Sequence, residues 1–366
     1  MDRSAWAAPE GAALALLAWF DRHQRDLPWR RTRDPYAIWV SEIMLQQTRV
    51  AAVLDHYARW MARFPTIPSL AAASLADVLA LWSGLGYYRR ARFLHAGAQA
   101  VVAEHGGQLP RTAIGLRAIP GIGEYTSAAI ASIAFGEPVA VVDGNVERVV
   151  LRLAGLGQPA GAPDLAATAA KTARAVRRIA NSLLLPERPG AFNQAMMELG
   201  ATVCLPRGPL CLACPVQQWC HTRGEHRTTP RAPMHTRSVA YSLLERQNGA
   251  GQELLLVRRA ADASLMAGMW ELPPHSAGSD QNPPAPLLLT LRHAITNTNY
   301  QVSVFAGRDA AGGDAADASA AIHPARNQAP DGAWFPVYQL PQLPLTGLAR
   351  KVLRRLGHWP APSQAE

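Results

Sequence analysis

Apolar side chains recur at helical spacing through about the first 222 residues of the chain. Asp34-Pro35 joins a preferred N-cap residue to a proline suited to a first helical turn. The apolar positions that follow at helical spacing are Trp39, Ile43, Val50, Leu54, Tyr57 and Met61. Further helices are predicted over residues 11–20, 75–82, 88–104, 124–134, 145–153, 165–184 and 190–202. We therefore expect residues 1–222 to form a mainly helical domain.

The pattern changes after a polar, basic stretch with prolines, which predicts an interdomain linker at residues 223–237. Beyond it, strands are predicted at residues 239–244, 253–257 and 287–305, and a closing helix at 343–356. Residues 273–286 and 306–332 are rich in proline, glycine and alanine, which is typical of loops. Residues 238–357 are therefore expected to form a smaller α/β domain.

The chain is basic, with 36 Lys and Arg against 27 Asp and Glu. A net charge of +9 suits a polyanionic partner. Lys171 and Lys351 are the only lysines, so almost all of the basic residues are arginine. Arginine is suited to binding phosphates and guanine edges. A GC-rich genome would explain the arginine excess equally well. No apolar run reaches membrane-spanning length and no segment has the form of a signal peptide. We expect a cytoplasmic, nucleoid-associated bacterial protein with no membrane contact.

All four cysteines fall within 17 residues, at Cys204, Cys211, Cys214 and Cys220. Such a group argues against scattered disulfides and for one metal centre in a reducing compartment. Four thiolates can ligate one [4Fe-4S] cluster or one zinc ion. Structural zinc commonly uses two closely spaced pairs, and only Cys211 and Cys214 form one here.

The segment from residue 116 to residue 149 contains a glycine turn and a carboxylate. Pro120-Gly121-Ile122-Gly123 joins two apolar segments, and Asp143 stands at the start of a third. Glycine lets a backbone approach a partner closely, and the amides at a helix start favour anions. The segment predicts a hairpin that grips phosphate, with a carboxylate close behind it.

Six stretches together resemble the A/G-specific adenine DNA glycosylase family (MutY type) of the endonuclease III superfamily. They are LPWR at 27–30, DPYAIWVSEIMLQQT at 34–48, GLGYYRRAR at 84–92, PGIGEYT at 120–126, VVDGNVERV at 141–149 and FNQAMMELG at 192–200. The resemblance implies a helix-hairpin-helix fold, with the hairpin at about 116–129, and a [4Fe-4S] cluster held by the four cysteines at 204–220. It also implies base-excision repair of double-stranded DNA.

Removing adenine from a sugar requires an acid that protonates the base and a carboxylate that stabilises positive charge on the sugar. Glu42 lies among apolar neighbours, where burial would raise its pKa. On residue type alone an exposed helix glutamate is the simpler interpretation, and the resemblance assigns Glu42 the acid role. Asp143 is a good N-cap, and the resemblance makes it the carboxylate that faces the sugar.

Tyr125 determines the reaction subclass. Related bifunctional enzymes carry a lysine here, which attacks the sugar, forms a Schiff base and cuts the strand. Tyrosine cannot form that imine, so we expect a monofunctional enzyme that leaves an abasic site.

The target base must leave the helical stack, and intercalating side chains offset that cost. The resemblance makes Gln46 and Tyr87 the intercalating residues and implies that Gly121 and Gly123 contact DNA. Without the resemblance, the simpler interpretation of Tyr87 is a core aromatic residue. The residues that by the same resemblance line the adenine pocket are Arg25, Trp29, Arg30, Asn145 and Gln194.

Residues 238–357 resemble the Nudix-like domain with which this family inspects the base opposite adenine; the best match is MAGMWELP at 266–273. The glutamate-rich helix of active Nudix hydrolases is absent, so pyrophosphatase activity is not expected. Many members carry Phe-Ser-His where this chain has Leu291-Arg292-His293. Arg292 would read the edge of 8-oxoguanine or contact a phosphate, with His293 beside it.

The leading hypothesis is removal of adenine opposite 8-oxoguanine or guanine by a monomer. A thymine or oxidised-pyrimidine glycosylase on the same scaffold is the first alternative, and Glu42 together with the second domain argues against it. A catalytically silent iron–sulfur protein that binds DNA or transfers electrons is the second. The pair Glu42 and Asp143 argues against that alternative without excluding it.

Overall fold

The chain divides into two compact units. The computed structural model describes residues 8–9, 11–156, 165–226, 233–249, 251–263, 265–275, 285–307 and 332–360. The first unit comprises Met1–Ala72 and Phe93–Pro230, and the second comprises Ala73–Arg92 and Arg231–Glu366. Residues 73–92, which lie within the helical domain predicted from the sequence, thus belong with the C-terminal unit.

The first unit is helical. In chain order the helices are α1 (Ala12–His23), α2 (Pro35–Leu45), α3 (Val50–Arg63), α4 (Ile67–Ala71), α5 (Leu75–Trp82), α6 (Arg89–His105), α7 (Ala113–Leu116), α8 (Glu124–Phe135), α9 (Gly144–Leu153), α10 (Leu165–Leu183) and α11 (Pro189–Thr202). Of these, α5 lies in the second unit and α6 starts there. These bounds follow the predicted helices closely, and the mainly helical character of this region is confirmed.

Helix α2 is apolar on every side and is buried along most of its length. Asp34 caps it by accepting a hydrogen bond from the Tyr36 amide at 3.1 Å, and Trp39 and Val40 have no exposed surface. The helix packs against α3 and α8. A polar side chain on α2 is therefore removed from water almost regardless of the direction in which it points.

The apolar period that the sequence shows across residues 39–61 is interrupted in the structure. Helix α2 ends at Leu45, α3 begins at Val50, and Gln47 between them adopts a left-handed φ of 56°. No glycine or proline marks this break, which is why the spacing alone predicts continuous helix. The face of α3 that is buried carries Val53, Tyr57 and Trp60.

A second core holds α9, α10 and α11 against the first helix. Helix α9 contributes an apolar stripe, and α10 and α11 supply the facing surfaces. The stripe of α9 comprises Val146, Val149, Val150 and Leu153. This packing fixes the direction of α9, and so the position of the residue that caps it.

The second unit contains two sheets, one mixed and one antiparallel. The strands are β1 (His235–Leu243), β2 (Glu245–Asn248), β3 (Gly251–Arg258), β4 (Trp270–Glu271), β5 (Leu287–Ile295), β6 (Thr298–Ala306) and β7 (Gly332–Pro336), followed by α12 (Gly347–Arg355). One sheet has the order β1-β6-β5, with β1 parallel and β5 antiparallel to β6. The other has the order β2-β3-β4, and β7 pairs with β3. The smaller α/β region predicted from the sequence is confirmed.

Several boundaries in this unit differ from the prediction. Strand β1 begins at His235, inside the predicted linker, and the run 287–305 is two strands that turn at Thr296, where φ is 52°. Strand β7 was not predicted, because it falls at the end of a segment rich in alanine and glycine. Most of the predicted loops at 273–286 and 306–332 lies outside the described residues.

Gly97 tests the packing of the first unit. A methyl group at Gly97 of α6 would lie 2.8 Å from the carbonyl oxygen of Pro120 and 2.9 Å from Cζ2 of Trp39. We expect Gly97→Ala to lower the free energy of unfolding by about 1–3 kcal/mol, since overpacking outweighs the helix preference for alanine. Denaturant titration checks this. Gly144→Ala, with nothing within 4 Å of the added atom, is the control, and equal stability of the two variants would contradict the packing argument.

Candidate active site

Glu42 lies on the buried helix α2, and its side chain is removed from water. The residue is 5% exposed, and its Oε2 atom accepts a hydrogen bond from the hydroxyl of Tyr125 on α8. Burial raises the pKa of Glu42 to about 7; the Tyr125 hydrogen bond and the charge of Arg30 oppose this rise, and the charge of Asp143 adds to it. At neutral pH this carboxyl group is therefore available as a proton donor.

Tyr125 keeps its proton. Burial, and next the negative charge of Glu42, raise the pKa of the Tyr125 phenol well above its ordinary value. Its hydroxyl also lies 3.4 Å from the Sδ atom of Met197 on α11. Tyr125 thus acts as a fixed donor that holds one oxygen of the Glu42 carboxyl group.

Asp143 is the N-cap of α9, as its place in the sequence predicts. Its Oδ1 atom accepts a hydrogen bond from the Val146 amide at 2.7 Å, and its Oδ2 atom accepts one from Asn145 Nδ2 at 2.9 Å. Two N–H donors at the start of the helix therefore hold both oxygens of this side chain in place. Glu42 and Asp143 are close enough to interact electrostatically, yet one is buried and the other is capped.

Two arginines predicted to line the adenine pocket meet a buried carboxylate, Glu198 of α11. Glu198 is 1% exposed. Arg25 donates to both of its oxygens at 2.7 Å, and Arg30 donates to Oε2 at 2.8 Å. Burial alone would raise the pKa of Glu198, but the hydrogen bonds from Arg25 and Arg30 and the charge of Arg30 lower it to about 2. Glu198 therefore remains ionised, and both guanidinium groups are held in place.

Glu198 was not predicted as a site residue, although it lies in the stretch 192–200 that resembles the family. Its position in the sequence does indicate burial, because Ala195 and Leu199 lie in the core and share one helix face with it. An acidic residue on an apolar face predicts a buried partner. Two arginines in the LPWR region, at positions 25 and 30, were available for that role.

The remaining predicted pocket residues have different environments. Trp29 is 6% exposed and packs edge-on against Tyr57, with ring centroids 5.2 Å apart. Asn145 donates to Asp143 and accepts a hydrogen bond from Arg148 at 2.9 Å. Gln194 on α11 is half-buried. Of the five, Asn145 is the one with a direct hydrogen bond to Asp143.

Arg148 connects this carboxylate to the cysteine region. Its guanidinium donates to Asn145 Oδ1, to the carbonyl of Gly200 at 2.7 Å and to the carbonyl of Cys204 at 2.8 Å. A methyl group at Gly200 would lie 2.6 Å from Cβ of Asn145, so the two helices need glycine there. A continuous chain of hydrogen bonds therefore runs from Asp143 to Cys204.

The glycine turn lies between α7 and α8, where the sequence predicts the hairpin. Gly121 has φ of 82°, and a Cβ atom there would lie 2.5 Å from Cβ of Phe93. Gly123 is the N-cap of α8 and has open space beside it. Gln46, at the end of α2, donates to Oγ1 of Thr126 on α8 at 3.3 Å. Gly121 thus serves internal packing, whereas Gly123 leaves the start of α8 accessible.

Tyr87 belongs to the second unit. It is 48% exposed and has a left-handed φ of 49°, which is unusual for an aromatic residue. The Arg90 guanidinium lies 5.5 Å from the centre of the Tyr87 ring and 5.2 Å from that of Trp82. An exposed ring on a constrained backbone suits an intercalating role better than a core role.

The four cysteines line one cavity in the first unit, together with Arg152 and Arg223. Arg152 Nη1 donates to Cys204 Sγ at 3.4 Å and to the carbonyl of Leu205 at 2.6 Å. Among the described residues, no three His, Cys, Asp or Glu side chains form a ready-made site for a metal ion. Burial raises the pKa of Cys214 to about 11. The protein thus gathers four thiols around one space and supplies N–H donors to sulfur.

Arg292 and His293 lie on β5 of the second unit. Arg292 is exposed, and its carbonyl accepts a hydrogen bond from Lys351 Nζ at 2.8 Å. His293 lies opposite Tyr300 on β6, and burial, together with the charge of Lys351, lowers the pKa of His293. Arg292 is therefore the more accessible of the two.

Comparison with known proteins identifies the family. Residues 40–181 match the HhH-GPD superfamily of base excision DNA repair proteins. The adenine DNA glycosylase of Mycobacterium tuberculosis strain H37Rv is 42% identical over 250 residues, which cover 68% of this chain and 78% of that protein. The chain belongs to the adenine DNA glycosylase family.

A further member of the family and one solved structure are also similar to this chain. The human adenine DNA glycosylase is 41% identical over 315 residues, covering 71% of this chain and 56% of that protein, so the chain spans little more than half the length of this relative. The solved structure of a thermostable thymine-DNA glycosylase has a TM-score of 0.51 and 28% identity, covering 58% of this chain and 94% of that one. The resemblance of the six stretches to the adenine DNA glycosylase family is confirmed.

Within the described part of this chain, none of the helices is both long and apolar enough to span a membrane.

The raised pKa of Glu42 predicts a pH-dependent stability. Because folding raises the pKa of Glu42 from 4.5 to about 7, protonation of this group adds to the free energy of unfolding. This added stability is fully present below pH 4.5 and is lost as the pH rises through 7. One pKa unit corresponds to about 1.4 kcal/mol. Between pH 4.5 and pH 8, the unfolding free energy of Glu42→Gln should therefore rise by about 3 kcal/mol relative to that of the wild type.

Denaturant titration over this pH range measures the effect. Glu104→Gln, at an exposed position on α6, is the control and should follow the wild type. A constant difference between Glu42→Gln and wild type at all pH values would contradict the assignment.

Proposed function

We propose that this protein hydrolyses the N-glycosidic bond of adenine in duplex DNA, opposite 8-oxoguanine or guanine, and leaves an abasic site. The observation that carries the proposal is the pair Glu42 and Asp143. Burial raises the pKa of one carboxyl group to about 7, so a large fraction of it carries a proton at neutral pH, and the other is capped by N–H donors at a helix start. Two carboxyl groups with opposite environments are what acid-assisted glycosidic cleavage needs.

Glu42 acts as the general acid. Since Tyr125 donates to Oε2, the carboxyl proton of Glu42 lies on Oε1 and is directed to a ring nitrogen of the base. As the bond between that base and the sugar breaks, adenine takes the proton and departs as a neutral molecule. A positioned acid of this kind typically contributes a factor of about 100 to 10,000 in rate.

Asp143 stabilises the positive charge that develops on the sugar when the base departs. A water molecule then forms the new bond to the sugar carbon, and its proton returns to the Glu42 carboxylate, which restores the acid. The resemblance to the family adds a covalent sugar intermediate on Asp143. The hydrogen bonds from Val146 and Asn145 keep the carboxylate oriented in either route.

The protein cuts no DNA strand by imine chemistry. Tyr125 stands beside Glu42 at the position where a bifunctional enzyme would need an amine, and a phenol forms no Schiff base. The two lysines of the chain, Lys171 and Lys351, lie on α10 and α12, and Lys351 Nζ donates to the carbonyl of Arg292.

DNA binding rests on the basic charge, on the accessible start of α8 at Gly123, and on Gln46 and Tyr87 as residues that enter the base stack. The net charge of +9 favours the phosphate backbone. An adenine that has left the stack would be received near Arg30, whose charge acts on Glu42 and whose guanidinium is held by Glu198. The buried Trp29 precedes Arg30 in the chain.

The cysteine cavity fits a [4Fe-4S] cluster. Cys204, Cys211, Cys214 and Cys220 would hold it, and the Arg152 guanidinium and the Arg223 amide are within hydrogen-bond distance of Cys204 and Cys220 sulfur atoms. Such donors stabilise thiolate ligands. When bound, the cluster would fix the loop between the cysteines. Zinc is the alternative, and the iron and sulfide content of the purified protein distinguishes the two.

Discrimination of 8-oxoguanine from guanine is assigned to the second unit, with its Nudix-like resemblance. Arg292 offers an exposed guanidinium on β5, suited to the O6 and N7 acceptors of a purine edge. His293 lies at the next position of the same strand.

The proposal predicts adenine release that is revealed only by alkali. Duplexes with A opposite 8-oxoguanine, A opposite G and T opposite G are incubated with the full chain, and strands are analysed with and without alkali. We expect breaks at adenine after alkali and intact strands without it. Glu42→Gln should bind the duplex and lose at least 100-fold in single-turnover rate.

Glu104→Gln provides the matched control and should retain the wild-type rate. Release of thymine and not adenine would favour the first alternative substrate. Breakage without alkali would contradict the role given to Tyr125.

The hydrogen bond from Tyr125 predicts a shift in the pH profile. It lowers the pKa of Glu42, so Tyr125→Phe should raise that pKa and move the alkaline decline in single-turnover rate to higher pH. The profile of the wild type should decline above about pH 7. An unchanged decline in Tyr125→Phe would separate Tyr125 from the acid.

A further inference from the structure

The turn that carries Tyr87 lies between α5 and α6 in the second unit; we call residues 83–88 the Tyr87 turn. Its two ends are buried, since Ser83 and Tyr88 are each 6% exposed, while Tyr87 itself is 48% exposed. An exposed ring is thus presented from a base that is anchored on both sides.

The anchor is the segment that leads into α12. The Leu345 carbonyl accepts hydrogen bonds from Tyr88 Oη at 3.2 Å and from Ser83 Oγ at 3.4 Å. In the other direction, Arg350 of α12 donates through Nη1 to the Ser83 carbonyl. Both ends of the Tyr87 turn are therefore tied to one short stretch of the C-terminal chain.

This stretch is itself fixed to the sheet. The Trp270 amide of β4 donates to the Pro344 carbonyl at 2.9 Å, and the Thr346 amide donates to the Trp270 carbonyl at 2.9 Å. Thr346 also caps α12 through the Ala349 amide. Leu345, between these bonded residues, has no exposed surface.

The turn is held from within by Arg90. Its guanidinium donates to the carbonyls of Leu85 and Gly86, each at 3.3 Å, and lies over the rings of Trp82 and Tyr87. A tyrosine with positive φ persists only where surrounding contacts determine its backbone. The internal and the external contacts together supply that restraint.

We propose that Arg350 and the Leu345 carbonyl form a platform on which the C-terminal unit positions Tyr87 for entry into the base stack. The C-terminal fold then contributes to opening the duplex, in addition to any contact with the opposite base. Arg350 is a positioning residue in this account. The inference rests on the proposed function, in which Tyr87 enters DNA.

Two duplexes separate this role from a general structural one. In the first, the target adenine opposite 8-oxoguanine has paired neighbours. In the second, the neighbouring pairs are mismatched, so the adenine is already unstacked. With the full chain at saturating concentration, Arg350→Met should reduce single-turnover adenine release at least tenfold on the first duplex and less than threefold on the second.

Arg354→Met is the matched control. Arg354 lies one turn along α12 and, like Arg350, stacks on Trp359, at 5.1 Å against 5.0 Å. It should behave as wild type on both duplexes, and Arg350→Lys should recover part of the rate. Equal behaviour of Arg350→Met and Arg354→Met, or an equal loss on both duplexes, would overturn the proposal.

Tyr88→Phe provides a second route if Arg350→Met fails to fold, since it removes only the hydroxyl that donates to Leu345. The same difference between duplexes is expected for it.

Failure of the proposed function is recognised separately. If the wild type releases no adenine, fluorescence of a 2-aminopurine placed beside the mispair still reports unstacking. Equal fluorescence with the wild type, Tyr88→Phe and Arg350→Met would then overturn the platform.

Discussion

The burial of one carboxyl group in helix α2 determines the chemistry of this protein. Glu42 lies on a helix that is apolar on all sides, and packing against α8 excludes water from it. The ionised form of a buried carboxylate is costly, so the group retains its proton to about pH 7. The Tyr125 hydrogen bond limits this effect, so the acid can still release its proton to a substrate.

The other charged side chains described around the site have partners of their own, and this arrangement keeps the pKa of Glu42 high. Glu198 forms ion pairs with Arg25 and Arg30. Without Glu198, the unbalanced positive charge of Arg30 would lower the pKa of Glu42 further. Asp143 is stabilised by the amides at the start of α9. Farther along α9, Arg148 and Arg152 bind carbonyls and sulfur of the cysteine region, so this helix spans the distance between the carboxylate and the thiols.

Local patterns in the sequence predicted most helices, the hairpin turn and the capping role of Asp143, because each depends on residues close together in the chain. The break between α2 and α3 and the strand β7 were missed, since neither carries a strong local signal. Glu198 is 168 or more residues from Arg25 and Arg30, so its place on an apolar helix face indicates burial, whereas its pairing with these two arginines emerges only from the structure. Long-range contacts also place residues 73–92 with the C-terminal unit, although their composition is that of the helical region.

Burial leaves a large fraction of Glu42 protonated up to about pH 7, and the protonated carboxyl group itself can be observed. Infrared difference spectra of wild type against Glu42→Gln, recorded from pH 4 to pH 9, isolate the carbonyl stretch of the protonated Glu42 side chain. The account predicts that this band is lost with a midpoint near pH 7. A midpoint near the ordinary glutamate value of 4.5 would contradict it.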